Sequence, residues 1–334
     1  MEITFKDVGQ GDSIVLEWTD NGQKKIGIVD SAIYQFRNPI LEHLRATLPK
    51  EIEFIFLSHL HHDHFSGFSD VLDFCYTAKI SIKQFYYTFS GETVQVFSKD
   101  NKTKKARDME LFLLTFDKYF KDGPNKIILD GGHITTKSLP IVRLNDDIMI
   151  HILAPTEYDC LSLEVAIGKY IGKRVTTDPD INSVSTILKI SRGDEYVLLT
   201  ADAPKSHISR NTKRLFSDTM VICQVPHHGS KYNHPMPFWQ NAKRTEQSVA
   251  IFSCGIEKKD EIPDDITVQE IHSLKYKIHS TNQVYGIATV FGDIPNVPED
   301  PIIQDLEDLL DEDEPTIMSP VLNTLNGDQK FNIW

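Results

Sequence analysis

The run Leu57-Ser58-His59-Leu60-His61-His62-Asp63-His64 constrains this chain more than any other feature. It places four imidazoles and a carboxylate within six residues, directly after the apolar run Phe54-Ile55-Phe56-Leu57. That run lacks polar alternation, as a buried strand does. A strand ending in His-x-His-x-Asp-His delivers ligands from one loop to two adjacent sites. His59 and His61 can point one way while Asp63 and His64 reach the other. Imidazole with carboxylate suits zinc, manganese or iron, so a two-metal hydrolytic site is expected.

Six residues cannot enclose two ions, so the fold must bring in distant partners. Three apolar runs end in suitable groups. Asp30 follows Ile26-Gly27-Ile28-Val29, Asp202 follows Tyr196 to Ala201, and His227-His228 follow Val221 to Pro226. The C-terminal ends of strands are where α/β enzymes collect their active-site groups. Strands and helices alternate along the chain, which argues for an α/β architecture. Strands are predicted over 2–5, 13–18, 25–29, 53–57, 147–153, 183–190, 195–199, 221–225, 249–252 and 287–291. Helices are predicted over 38–46, from 65 to about 74, 109–120 and 204–216. Residues 91–132 read as an elaborated lobe beside the site.

The chain has 334 residues, 40% of them hydrophobic and 25% charged, which suits a globular protein with a full core. Its net charge of −13 gives no general attraction for nucleic acid. Bound divalent cations would reverse that field locally. The basic run Lys99 to Arg107 is a candidate phosphate contact. Four cysteines lie far apart with no CxxC pair, so reduced, buried thiols are expected. No secretory leader and no spanning apolar run are visible, so a cytoplasmic protein without membrane contact is expected. From about Asn296 to Pro315 acidic residues and prolines dominate. Residues 296–334 therefore read as a flexible acidic tail, with a protein partner as one use for it.

Together, Asp30, His59-x-His61-x-Asp63-His64, Thr200-Ala201-Asp202 and His227-His228-Gly229-Ser230 resemble the ordered motifs of the metallo-β-lactamase fold superfamily. The opening Asp7-Val8-Gly9-Gln10-Gly11-Asp12-Ser13 narrows this, as do Asn182-Ser183 and Ile251-Phe252-Ser253-Cys254-Gly255. These resemble the hydrolase domain of ComEC-type DNA-uptake proteins. The resemblance covers roughly residues 1–295 and implies a four-layer αββα sandwich.

Carried over by position, the resemblance implies that His59 and His61 hold the first metal. Asp63, His64 and one histidine of the 227–228 pair would hold the second, and Asp202 would bridge them. His228 is favoured as the ligand and His227 as the phosphate or proton group. Asp30 would orient the ligands from behind. One departure stands out, because Asn182 occupies the place where many relatives have a further histidine for the first metal. Supporting or substrate-contacting roles are assigned to Asp12, Ser230, His234 and His279.

The implied cofactors are two divalent ions, zinc or manganese. The implied activity is hydrolysis of a phosphodiester, with nucleic acid as the leading substrate class. A small phosphodiester, or another small ester, lactone or lactam, is the alternative that better suits the net acidity. A regulatory or binding protein on a retained metal-binding fold is the reading from another class.

Overall fold

Asn21 and Gly22 both take positive φ (49° and 74°) and fold the chain into its first hairpin, the turn chemistry that Asn-Gly supplies. The structure, a computed structural model, describes residues 1–88, 103–122, 134–255, 262–282, 284–291 and 327–334. Its strands begin with β1 (Glu2–Phe5), β2 (Ile14–Asp20), β3 (Gln23–Val29), β4 (Glu51–Ile52), β5 (Phe54–Phe56), β6 (Ser81–Ile82) and β7 (Phe85–Tyr86). They continue with β8 (Ile141–Arg143), β9 (Ile148–Ala154), β10 (Ile187–Arg192), β11 (Glu195–Leu199) and β12 (Thr219–Gln224). The last are β13 (Arg244–Phe252), β14 (Lys277–Ser280) and β15 (Gln329–Asn332).

Six strands form one sheet, in the order β15-β1-β2-β3-β5-β7. Seven form a second, in the order β14-β13-β12-β11-β10-β9-β8, and β4 pairs with β6 apart from both. Neighbouring residues on one strand face opposite ways, and here both faces are covered. Leu16, Val29 and Phe56 of the first sheet meet Ile150, Leu188, Leu199 and Ile251 of the second in one buried cluster. Their neighbours Val15, Ile28 and Ile55 pack outward with Leu44, Phe68, Phe112 and Ile167. Those four side chains belong to the helices Pro39–Thr47, Phe68–Ala78, Lys104–Asp122 and Glu157–Ile171. On the other side, Leu198 and Cys223 pack outward with Ile208, Trp239, Val268 and Ile287. The layers are therefore helix, sheet, sheet, helix, the expected αββα order. Burial on both faces explains why the strands read as continuous apolar runs.

Residues 287–291 depart from the expected strand. They lie in the helix Gly286–Phe291, with Ile287 and Ala288 buried. The β-branched Ile287, Thr289 and Val290 suggest a strand, but packing against the helix Asp265–Ser273 overrides that weak preference. The predicted 204–216 helix is two pieces, Lys205–Arg210 and Thr212–Leu215, broken at Asn211. The buried Asn211 side chain donates to Leu153 O and His207 O.

Much of the expected 91–132 lobe and of the acidic tail lies outside the described residues. The lobe's helix Lys104–Asp122 is described, and it runs beside the helix Phe68–Ala78. The tail expectation needs correction at its end. Strand β15 pairs antiparallel with β1, from Glu2↔Asn332 to Phe5↔Gln329. Phe331 meets Phe5 edge-on, and Lys6 pairs with Asp328 at 2.6 Å. The open edge of β1 gives these residues a partner that composition does not reveal. No described helix is long and apolar enough to cross a membrane.

Candidate metal centre

Parallel β3 and β5 end side by side, with Val29 opposite Phe56. Immediately beyond them sit Asp30 and the histidine loop. Asp30 turns with φ of 58°, and its amide donates to Phe56 O at 2.9 Å. Its buried carboxylate accepts from Ser58 N (2.7 Å), Ser58 Oγ (2.6 Å) and His64 Nδ1 (2.8 Å). One acid thus fixes both the start and the end of the loop. Gly11 lets a second loop close on it. A Cβ at Gly11 would stand 2.5 Å from Asp63 O, and φ there is +150°. The neighbouring Asp12 amide donates to that same oxygen at 3.0 Å.

The other half comes from the second sheet. Asp202 follows β11, and His227 and His228 follow the parallel neighbour β12. His228 Nδ1 donates to Ser253 O at 2.9 Å, just past β13, so Nε2 faces the acids. Asp202 Oδ1 lies 3.2 Å from His228 Nε2 and 3.4 Å from His64 Nε2. Its Oδ2 lies 3.7 Å from His59 Nε2 and 3.7 Å from His227 Nε2. The two carboxylate oxygens therefore look toward two different sets of imidazoles.

Three groups of potential ligands result among the described residues: Asp63, His64, Asp202 and His228; His59, His61 and Asp202; and Asp12, Asp30 and His64, the last already joined by the hydrogen bond from His64 Nδ1 to Asp30. Within each group the ligand atoms lie within 4.8 Å of one another. Donors around one ion at ~2.0–2.2 Å span roughly that much. His59 Nε2, His64 Nε2, His228 Nε2 and Asp202 Oδ1 are buried with no hydrogen-bond partner. Orphaned polar atoms converging from three segments are costly unless something binds them, and this donor set suits divalent ions. His227 falls in none of these groups.

Burial disfavours charge throughout the centre. It holds the imidazoles of His59 and His61 below the usual histidine range. For His64, burial is outweighed by Asp202 and Asp30, and its pKa stands well above normal. For His228, burial is outweighed by Asp202 and Asp63, and its pKa is pushed up to about 9. Burial of Asp202 and Asp63 is likewise outweighed by these imidazoles, which keep both carboxyls strongly acidic. Burial raises the Asp30 carboxyl despite His64.

The remaining expected residues divide. Asp12 is buried, and its Oδ2 lies 3.7 Å from His64 Nδ1. Asn182 sits in the 3-10 turn Ile181–Val184 with Oδ1 buried and unpartnered. That segment abuts the histidine loop, since Thr186 N donates to Ser58 O at 3.1 Å. Ser230 is buried, and its amide donates to His227 O. His234 and His279, assigned supporting or substrate-contacting roles from sequence, have protein neighbours here. His234 stacks on Trp239 and stands 3.0 Å from Glu270. His279 meets Gln329 and the Phe331 ring, because β15 covers it.

Three contributors escaped the sequence reading. Ser58 lies inside the histidine run and Ser253 inside the Ile251–Gly255 segment, but small hydroxyl residues carry no ligand signal and the sequence assigns neither a role. Gln224 has a weak signal, as the lone amide closing an apolar strand. His62, an x position of the motif, pairs with Asp108 at 2.7 Å and so ties the Lys104–Asp122 helix to the loop.

Comparison with known proteins bears on this geometry. Residues 7–143 match the sequence model of the metallo-beta-lactamase superfamily, a span holding the histidine loop but ending before Asp202. No curated protein matches. The solved metallo-beta-lactamase fold protein YhfI from Bacillus subtilis covers 85% of this chain and 98% of its own, at 12% identity and a TM-score of 0.44. Zinc-bound PqqB from Methylobacterium extorquens covers 84% and 98%, at 8% identity and a TM-score of 0.44. A diphosphatase from the PhnP family covers 99% and 98%, at 11% identity and a TM-score of 0.38. Likenesses this remote carry nothing about chemistry. The match over residues 7–143 makes this part of the chain similar to the metallo-β-lactamase superfamily.

Proposed function

We propose that this protein is a two-metal hydrolase of phosphodiester bonds, with nucleic acid as its leading substrate class. The observation that carries the reading is Asp202, whose two oxygens each face a separate group of imidazoles. In this reading His59, His61 and Asp202 hold one ion, and Asp63, His64, His228 and Asp202 hold the other. Zinc and manganese both suit these ligands. When bound, two such ions supply Lewis-acid stabilisation and an activated water. Hydrolysis adds water to phosphorus and breaks one ester P–O bond, and the leaving oxygen then needs a proton. His227, partly exposed beside Asp202 and outside both ligand groups, is placed to supply it. Asp30 and the Ser253 carbonyl hold the ligand imidazoles in the tautomer that presents Nε2.

The likeness to the ComEC-type hydrolase domain favours a polynucleotide. So does the charge on the neighbouring helix. Lys104 and Lys105 are exposed within about one turn of Asp108, the residue paired with His62. Replacing both lysines by alanine is expected to weaken single-stranded DNA cleavage severalfold and to lower its salt slope by about 1 per lysine. Turnover of bis(p-nitrophenyl) phosphate should not change. Equal loss on both substrates, or on neither, would remove the polynucleotide argument. The net charge of −13 supports the second reading, a small phosphodiester. A panel of DNA, RNA, cyclic nucleotides, bis(p-nitrophenyl) phosphate and a lactam, run with zinc and with manganese, separates the readings. Cleavage of the lactam alone would overturn the phosphodiester assignment. A chain that takes up no divalent ion would overturn enzyme function altogether.

Metal uptake has an expected proton signature. An imidazole binds metal only when neutral, and His228, with its pKa near 9, carries a proton at pH 7 in the metal-free chain. Binding should therefore release protons, and affinity should fall as pH drops below about 9. Calorimetry in two buffers of different ionisation enthalpy reads this directly. Identical heats in both would refute it.

A further inference from the structure

The geometry points to Gln224 as the positioning residue that sets the spacing between Asp202 and the His227-His228 pair. This rests on the metal reading and adds a residue to it. The parallel ladder between β11 and β12 ends with Leu198 opposite Cys223. Beyond that point the two strands must still deliver Asp202 and His228 to within 3.2 Å of each other. The Gln224 side chain continues the connection where the backbone ladder stops. Its Oε1 accepts from two successive amides, Thr200 N at 2.9 Å and Ala201 N at 3.1 Å. Its backbone oxygen accepts from Thr200 Oγ1 at 3.0 Å.

Successive amides of an extended strand point opposite ways, so one acceptor for both requires a turn. The turn opens at Thr200, whose O accepts from Ala203 N at 3.1 Å, and Ala201 follows inside it with φ of +44°. A non-glycine residue in this region is uncommon and is held by its surroundings. Gln224 Oε1 holds this one, and Asp202 is the next residue.

The other end of the same amide acts on the first sheet. Gln224 Nε2 donates to Asp12 Oδ2 at 2.7 Å. The Asp12 amide in turn donates to Asp63 O, and Asp12 Oδ2 also flanks His64. One buried side chain, 2% exposed, thus links the turn before Asp202 to the loop that supplies Asp63 and His64. No carboxylate, hydroxyl or apolar residue offers an acceptor and a donor in this arrangement.

The test measures metal binding, not turnover. Zinc or manganese stoichiometry and affinity would be read by dialysis and elemental analysis at pH 8 on the full chain. Gln224→Glu keeps the size and the acceptor but sets a second carboxylate against Asp12. It should weaken binding by roughly 10–100-fold, the range for partners that orient ligands. Asp12→Asn combined with Gln224→Glu exchanges donor and acceptor across the same contact. That double variant should return affinity to within about threefold of wild type. Such a return would assign the loss to the contact between residues 12 and 224 and not to either substitution alone. Wild-type affinity in Gln224→Glu would overturn the inference while leaving the metal reading intact, and so would a double variant no better than the single. A wild-type chain that binds no ion would overturn both.

Discussion

Replacing Asp202 by alanine should abolish hydrolysis and remove tight binding of both ions, because each of its oxygens serves a different group of imidazoles. The expected loss in turnover is at least about 10³-fold, well beyond the ~10–100-fold of a residue that only orients ligands. Asp202→Asn tests the same point with the shape kept. Its amide nitrogen would turn a donor toward one set of imidazoles, so one ion should be lost before the other. Elemental analysis should then find fewer than two ions per chain, against two in wild type. Full activity in either variant would refute the bridging role. The substitution also removes the main counter-charge of His64 and His228, so their pKa values should fall in the metal-free chain. Imidazole resonances followed by NMR titration would show it.

The second large effect is expected at Asp30, which needs no contact with substrate or metal. Its carboxylate receives three donors from Ser58 and His64. Asparagine offers one acceptor oxygen and a donating NH2 group, so at least one of these groups loses its partner. If that group is His64, its proton moves to Nε2 and blocks the atom that must face the ion. Asp30→Asn should lower metal affinity about 10–100-fold. An unpaired buried donor should also destabilise the fold by about 1–3 kcal/mol. Metal affinity and thermal unfolding, measured on the same samples, separate the two effects. Unchanged metal affinity would show that Ser58 and the loop backbone hold His64 without help.

The two substitutions differ in how readily their sites were found. Asp30 and Asp202 are acids at the ends of apolar runs, and a strand end is a position that sequence makes visible. Gln224 also ends such a run, but an amide has no ligand chemistry to attract notice. Its importance lies in what its two ends touch, and those partners are 23 to 24 and 212 residues away. His234 and His279 show the converse: their place along the chain suggested supporting or substrate-contacting roles, and the fold sets them beside Trp239 and Glu270 and beside the C-terminal strand. Residues 287–291 carry β-branched side chains and still form a helix, since packing outweighs a propensity of at most about 1 kcal/mol.

By itself, the sequence determined the ligand types, their grouping around a strand end and the alternation of strands and helices. These follow from side-chain chemistry and from short-range periodicity, both local properties, whereas the αββα layering was implied only by the family resemblance. Only the tertiary structure decided which oxygen of Asp202 faces which imidazole. It also decided that His228 and not His227 joins a ligand group, that an amide spans the two half-sites, and that residues 329–332 complete a sheet. Each of these depends on distances between segments far apart in the chain, and such distances are set by how the two sheets pack face to face.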